Sequence, residues 1–249
     1  MPDPSEASFL VEPFRPTQRP PMARLLLYDD GSIEGESFRI RMDKTTIGSK
    51  SADIVIPHDT MISDKHLSIE RELRDKVFRW VIRDLESGTG FWVRVRRIEL
   101  REGSEFLAGN GRYRFHEGKT LGSRQRAELI ARFEQGSFPG DQTMQINGFP
   151  SVVRIGPSGE VLDGSLALID TEHWIGRGKS SALAFLNDCF LAERHVCISK
   201  TDGKWMAFTE GAPNGIWVRM DQIVVSNSCT FQIGEKRCRF ICAWARDET

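Results

Sequence analysis

The chain has 249 residues, 39% of them hydrophobic and 28% charged, with 34 basic and 35 acidic side chains and a formal net charge of −1. That length suits one large domain or two of ordinary size, and the composition is that of a soluble globular protein. A near-neutral, well-mixed charge lacks the basic excess of a nucleic-acid groove or a membrane-surface patch, so neither nucleic acid nor membrane is an expected partner.

Residues 1–22, "MPDPSEASFLVEPFRPTQRPPM", are Pro-rich and lack the basic start and apolar core of a signal peptide, so they read as a disordered arm. From Ala23 onward the signals are β. "RLLLY", "FRIRM", "DIVIP", "HLSIE", "FRWVIRDL", "FWVRV" and "RYRF" are short runs rich in Val, Ile and aromatics, separated by turn formers such as "DDG", "SGTG" and "EGS". The basic run "WVRVRRIEL" reads as a strand with a solvated basic face. A stretch around residues 124–135, with Leu129, Ile130 and Phe133 at helical spacing and Gly and Pro beyond, predicts a short helix that spaces or packs domains.

The second half then repeats the first. Leu25 to Ser49 lines up with Val152 to Arg177, each closing on an Ile-Gly pair, and Gly48 and Gly176 are 128 residues apart. "GFWVR" matches "GIWVR" and "FLAGNGRYRF" matches "FQIGEKRCRF", both at an offset of 125, while His66 and His195 are 129 apart. Loop insertions absorb such drift where paired strands cannot. The predicted organisation is an arm (1–22), a first domain (23–118), a linker (119–149), a second domain (150–243) and a tail (244–249). Many short alternating strands in each copy predict an all-β chain of two antiparallel β-sandwiches in tandem.

All five cysteines, Cys189, Cys197, Cys229, Cys238 and Cys242, fall in the second half. Their odd number and the lack of a CxxC pair suggest neither a disulfide framework nor a zinc site. Cys238 and Cys242 alternate with Phe240 as one buried strand face, and buried free thiols fit a reducing compartment, so the expected location is cytoplasmic. No apolar run approaches transmembrane length.

The order Ile-Gly, Ser-x-x-His, Asp-Leu-x-Ser, Gly, aromatic-Val and a closing Gly before "RYRF" resembles the forkhead-associated (FHA) domain, over about Ala23 to Gly118 and again over about Pro150 to Ala243. The resemblance implies an FHA-like β-sandwich whose loops at one end bind phosphothreonine peptides. It also implies the ligand set: an Arg after the Ile-Gly glycine, the Ser of Ser-x-x-His, and a polar pair before a turn glycine. Such groups suit a ligand with nearly two negative charges and three acceptor oxygens. The histidine is implied to be structural, which makes His66 and His195 scaffold residues, with Gly48, Gly176, Gly90 and Gly215 as structural loop glycines.

Each copy carries part of the set. In the first, "TIGSK" puts Ser49 at the arginine position with Lys50 beside it, Ser63 is kept, and Gly88 and Thr89 stand before Gly90. Lys50 is a point charge and does not replace a bidentate guanidinium. In the second, "WIGRGK" keeps Arg177 and brings Lys179, and "APNGIWV" keeps Asn214, but Ala192 and Pro213 replace the hydroxyls. The candidate phosphopeptide-binding residues are therefore Arg177, Asn214, Lys179, Ser63, Ser49, Lys50 and Thr89. Asp64 and Glu193 follow the Ser/Ala position and read as exposed loop acids, which oppose a dianion unless a base such as Lys65 or Arg194 pairs with them. Trp92 and Trp217 read as core packing.

No nucleophile elbow, P-loop, dinucleotide-binding glycine pattern or metal-ligand cluster occurs, so no enzyme, cofactor or metal is expected. The expected function is a non-catalytic adaptor in signalling. Its partner is a protein or phosphothreonine peptide read mainly through the second copy, or else the chain is a phosphate-independent scaffold or oligomerisation protein that kept the fold.

Overall fold

A computed structural model describes residues 22–28, 35–118, 124, 127–128, 130–131 and 149–242. The arm up to residue 21, the tail and most of the linker lie outside the described residues. The described part of the linker is helical at Arg124, Ala127, Glu128, Ile130 and Ala131, with Arg124 bonded to Glu128 at 3.3 Å. Leu129, Phe133 and the rest of the predicted helix are outside it.

The first repeat forms β1 (Ala23–Tyr28), β2 (Glu36–Ile40), β3 (Lys44–Gly48), β4 (Ile54–Val55), β5 (Leu67–Arg74), β6 (Val77–Asp84), β7 (Phe91–Val95), β8 (Arg97–Leu100), β9 (Glu105–Ala108) and β10 (Gly111–His116). The second forms β11 (Ser151–Ile155), β12 (Leu166–Ala167), β13 (Glu172–Gly176), β14 (Leu183–Ala184), β15 (Val196–Thr201), β16 (Lys204–Phe208), β17 (Ile216–Arg219), β18 (Gln222–Val225), β19 (Ser228–Ile233) and β20 (Lys236–Cys242). Period-two alternation drives them: Ala23, Leu25 and Leu27 point into the core along β1, as do Tyr113 and Phe115 along β10. The alternating face of Cys238, Phe240 and Cys242 is buried as its pattern implies, and burial pushes the Cys242 thiol up to about 12. The β5–β6 hairpin turns at Asp75 and Lys76, both with positive φ, and β15–β16 turns at Asp202 and Gly203 in the same region. These two-residue turns match the twist of the strands they join. The fold is all-β, as expected.

The strands form a ten-stranded sheet in the order β12-β11-β10-β9-β17-β7-β19-β20-β1-β2 and two five-stranded sheets, β14-β13-β15-β16-β8 and β18-β6-β5-β3-β4. The order shows that the repeats exchange their last three strands. From the first repeat, β8 pairs with β16 (Ile98 opposite Ala207) and β10 pairs with β11. From the second, β18 pairs with β6 (Ile223 opposite Ile82) and β20 pairs with β1. At the centre, β7 and β17 run antiparallel with Val93 opposite Val218, residues related by the 125-residue offset. That pair marks a pseudo-two-fold axis.

The cores follow the exchange. One gathers Leu25, Ile47, Trp80 and Phe91 with Phe231, Cys238 and Phe240; the other gathers Phe106, Tyr113 and Phe115 with Ile175, Val196 and Trp205. Val95 and Met220, at equivalent places in the two crossings, pack against both. Each core therefore draws strands from both 23–118 and 150–243. The physical reason is that β8–β10 and β18–β20 carry the same apolar alternation, so either set fits either sandwich, and the chain runs straight on at Val95 and Met220. The basic run divides accordingly: β7 ends at Val95, β8 starts at Arg97, and Arg94, Arg96 and Arg97 are exposed.

Candidate functional site: two loop ends of unequal charge

Both loop ends are built on the same scaffold. The His66 Nδ1 accepts from the Ser63 amide at 3.2 Å and Nε2 donates to the Gly90 carbonyl at 3.1 Å; His195 accepts from the Ala192 amide at 3.0 Å and donates to the Gly215 carbonyl at 2.9 Å. An amide donor on one nitrogen and a carbonyl acceptor on the other place the ring proton on Nε2. Both rings are fully buried, so they tie loops to the sandwich. Burial holds His66 below its ordinary value of 6.5, against the opposing pull of the Gly90 carbonyl, Asp84 and Asp59.

The Ile-Gly glycines have a steric cause. A Cβ at Gly48 would lie 2.1 Å from the Asp64 carbonyl oxygen, and one at Gly176 would lie 2.1 Å from that of Glu193. The backbone crossing is stitched by Ser49 N to Ser63 O and by Arg177 N to Ala192 O, each 3.0 Å. Gly90 (φ 86) and Gly215 (φ 66) sit in the left-handed region that favours glycine.

At the first end, the side chains of Ser63, Ser49, Lys50 and Thr89 are each engaged by a neighbouring loop group. The Ser63 hydroxyl accepts from the Gly88 amide at 3.2 Å, the Thr89 hydroxyl donates to Met61 O at 2.8 Å, and the Ser49 hydroxyl donates to Asp64 at 3.4 Å. The same Asp64 oxygen lies 3.5 Å from the Lys50 ammonium. The base pairing Asp64 is thus Lys50 and not Lys65, so the Lys50 charge is offset by Asp64.

At the second end, Asn214 reaches back to the Phe190 carbonyl at 2.8 Å, clamping its loop against the loop before His195. Arg177 and Lys179 are exposed, and neither side chain has a hydrogen-bond or ion-pair partner among the described residues. Arg194 lies over the Trp174 ring at 5.4 Å instead of pairing with Glu193. Trp92 and Trp217 are buried, and each donates its indole N–H to a loop carbonyl, Thr89 or Asn214, at 2.9 Å. They pack and also brace the loops.

Sequence reasoning passed over two residues. Arg94 donates to the Pro213 carbonyl at 2.5 Å, and its Nε is 2.7 Å from where a Cβ of Gly215 would stand; Arg219 stands in the same relation to Gly90, at 2.8 Å. Each loop end is therefore backed by an arginine of the other repeat. "WVR" in both repeats was the available signal, but only the β7–β17 pairing gives it meaning. Among the described residues there is no cluster of three metal-ligating side chains, and no helix is long and apolar enough to cross a membrane.

Residues 45–109 match the family described as FHA domain. No curated protein matches the chain. Similar solved structures include full-length yeast Pml1p (23% identity, 34% of this chain and 69% of that chain, TM-score 0.28). An FHA domain of the Chlamydia trachomatis protein CT664 is 26% identical over 34% of this chain and 85% of its own, with a TM-score of 0.24. A structure titled as an analysis of phosphothreonine-dependent FHA domain interactions is 28% identical over 36% and 91%, also with a TM-score of 0.24. The matched segment 45–109 includes β8 and β9, strands that complete the other sandwich.

Proposed function

We propose that this chain is a non-catalytic protein–protein interaction module of the FHA type, a cytoplasmic signalling adaptor that recognises phosphothreonine-containing partners through the loops around Arg177. The observation that carries this reading is the inequality of the two ends. Lys50 is neutralised by Asp64, whereas the Arg177 guanidinium is exposed and unpaired among the described residues, with Lys179 two positions on. A guanidinium offers two parallel donors to a phosphate, and a second cation nearby adds field. The Phe190–Asn214 clamp holds the facing loop.

The second reading, a phosphate-independent scaffold that kept the fold, draws on Ala192, which offers no hydroxyl beside Arg177. Binding of a fluorescent degenerate peptide library separates the two. We expect phosphothreonine peptides to bind above phosphoserine and unphosphorylated ones, and Arg177→Ala to weaken them at least about tenfold, the loss of one charge-assisted contact of roughly 1.4 kcal/mol. Lys50→Ala should change little. Binding indifferent to phosphate would favour the scaffold.

A further inference from the structure

The pseudo-two-fold axis lets one half of the molecule serve as a comparison for the other. Near the first end, Glu105 is 7% exposed and is held by three arginines. Its two oxygens accept from Arg114 (2.7 and 3.0 Å) and from Arg112 (2.6 and 3.2 Å), and Arg219 stands 3.5 Å away. Burial would raise its pKa, but the Arg112 and Arg114 bonds hold it below the ordinary value. Arg112 also lies over the Trp92 ring at 5.2 Å.

The 125-residue offset carries Arg112, Arg114 and Arg219 onto Arg237, Arg239 and Arg94. The arrangement is kept. Arg237 lies over Trp217 at 5.5 Å, as Arg112 does over Trp92, and Arg239 faces residue 230 across the β19–β20 pair as Arg114 faces Glu105 across β9–β10. The carboxylate is not kept: Thr230 stands where Glu105 would be. In its place is a cleft of about 1090 Å³ between the two sandwiches, lined by Arg94, Arg96, Arg239 and Thr230 with apolar Val95 and Ile223. Among the described residues Glu210 is the one acid on its wall, and none of their carboxylates lies within ion-pair distance of Arg94, Arg96 or Arg239.

We propose that this cleft is a binding site for an acidic peptide segment, whose Asp or Glu side chain enters beside Thr230 and takes the place that Glu105 occupies in the other half. Three guanidinium groups against one described wall carboxylate give the cleft a positive field that draws such a segment in. Arg94 and Arg239 supply the donor forks for a carboxylate, and Val95 and Ile223 receive the apolar flanks of a peptide. The site lies behind the 211–215 loop and uses none of Arg177, Lys179 or Asn214, so it stands apart from the phosphothreonine reading.

The test uses the full chain and arrayed heptapeptides, degenerate except for a central Glu, Gln or phosphoserine. We expect retention on central-Glu peptides at least tenfold above central Gln and above phosphoserine. Thr230→Glu, which supplies an internal carboxylate, should abolish retention while leaving the melting temperature at or above that of the wild type. Arg239→Ala should weaken it about tenfold, and isosteric Thr230→Val and Arg177→Ala should leave it unchanged. Retention equal on Glu and Gln, stronger on phosphoserine, insensitive to Thr230→Glu, or absent altogether overturns the proposal.

Discussion

Phe240→Ala is expected to cost about 3–5 kcal/mol and to report at Trp80, a residue of the other repeat. Phe240 is fully buried and meets the Trp80 ring edge-on at 5.5 Å, so truncation removes an aromatic contact and leaves a cavity. Phe115→Ala is expected to cost a similar amount and to report at Trp205, whose ring centroid is 6.3 Å away. Phe115 and Phe240 are equivalent in the repeat, as are Trp80 and Trp205. With sandwiches closed within each repeat, the reporters would be reversed, Phe240 disturbing Trp205 and Phe115 disturbing Trp80. Fluorine spectra of protein labelled with 5-fluorotryptophan, assigned by single Trp substitutions, distinguish the two arrangements. Urea denaturation supplies the magnitudes.

The second large effect is expected at the loop-tying histidines. His66→Ala removes a buried ring and leaves the Gly90 carbonyl without its donor, a loss of about 2–4 kcal/mol; His195→Ala should behave alike through Gly215. The His66 change also carries a pH signature. Its pKa in the folded protein is depressed below 6.5, so the unfolded chain takes up the proton first. The stability that neutral His66 contributes is complete above about pH 6.5 and drains away as pH falls through the folded-state value. Burial depresses His173 in the same direction, so part of the slope should survive in His66→Ala. Denaturation midpoints between pH 5 and 8 should show a shallower acid-side decline in the variant. An unchanged slope would contradict the buried neutral imidazole.

Much of the architecture was legible because it depends on local physics. The alternation in "RLLLY" and "RYRF", the Ile-Gly pairs that admit a carbonyl oxygen where a Cβ would stand, and the histidine phrase all repeat because each sandwich needs them. The exchange was not legible for the same reason. β8–β10 and β18–β20 present equivalent faces, so no pattern says which core each completes, and the decision rests on the path of the chain at Val95 and Met220. The cysteines show the consequence: Cys229, Cys238 and Cys242 belong to the second repeat, yet they pack in the core begun by the first.

For the candidate site, motif spacing named residues and said little of their wiring. Ser49 and Lys50 meet on Asp64 beside Ser63, while Asn214 bonds Phe190 and the Arg177 amide bonds Ala192. That Asp64 would cancel Lys50, and that Arg94 and Arg219 would cross over to back the loops of the other repeat, depends on side-chain geometry and sheet order that motif spacing does not encode. Residue types marked the loops, and the balance of charge within each loop came only with the fold.

Reciprocal exchange underlies the cleft, the crossed arginines and the core composition alike, and cutting the chain tests it most directly. With a specific protease site placed within residues 136–146 and cleaved in the folded protein, the two fragments are expected to stay together as one species of intact mass on size-exclusion chromatography and native mass spectrometry. Each fragment would then supply three strands to the other's core, so they should part only on unfolding, with a urea midpoint that has become concentration-dependent. Separation into two folded monomers without denaturant would contradict the exchanged fold.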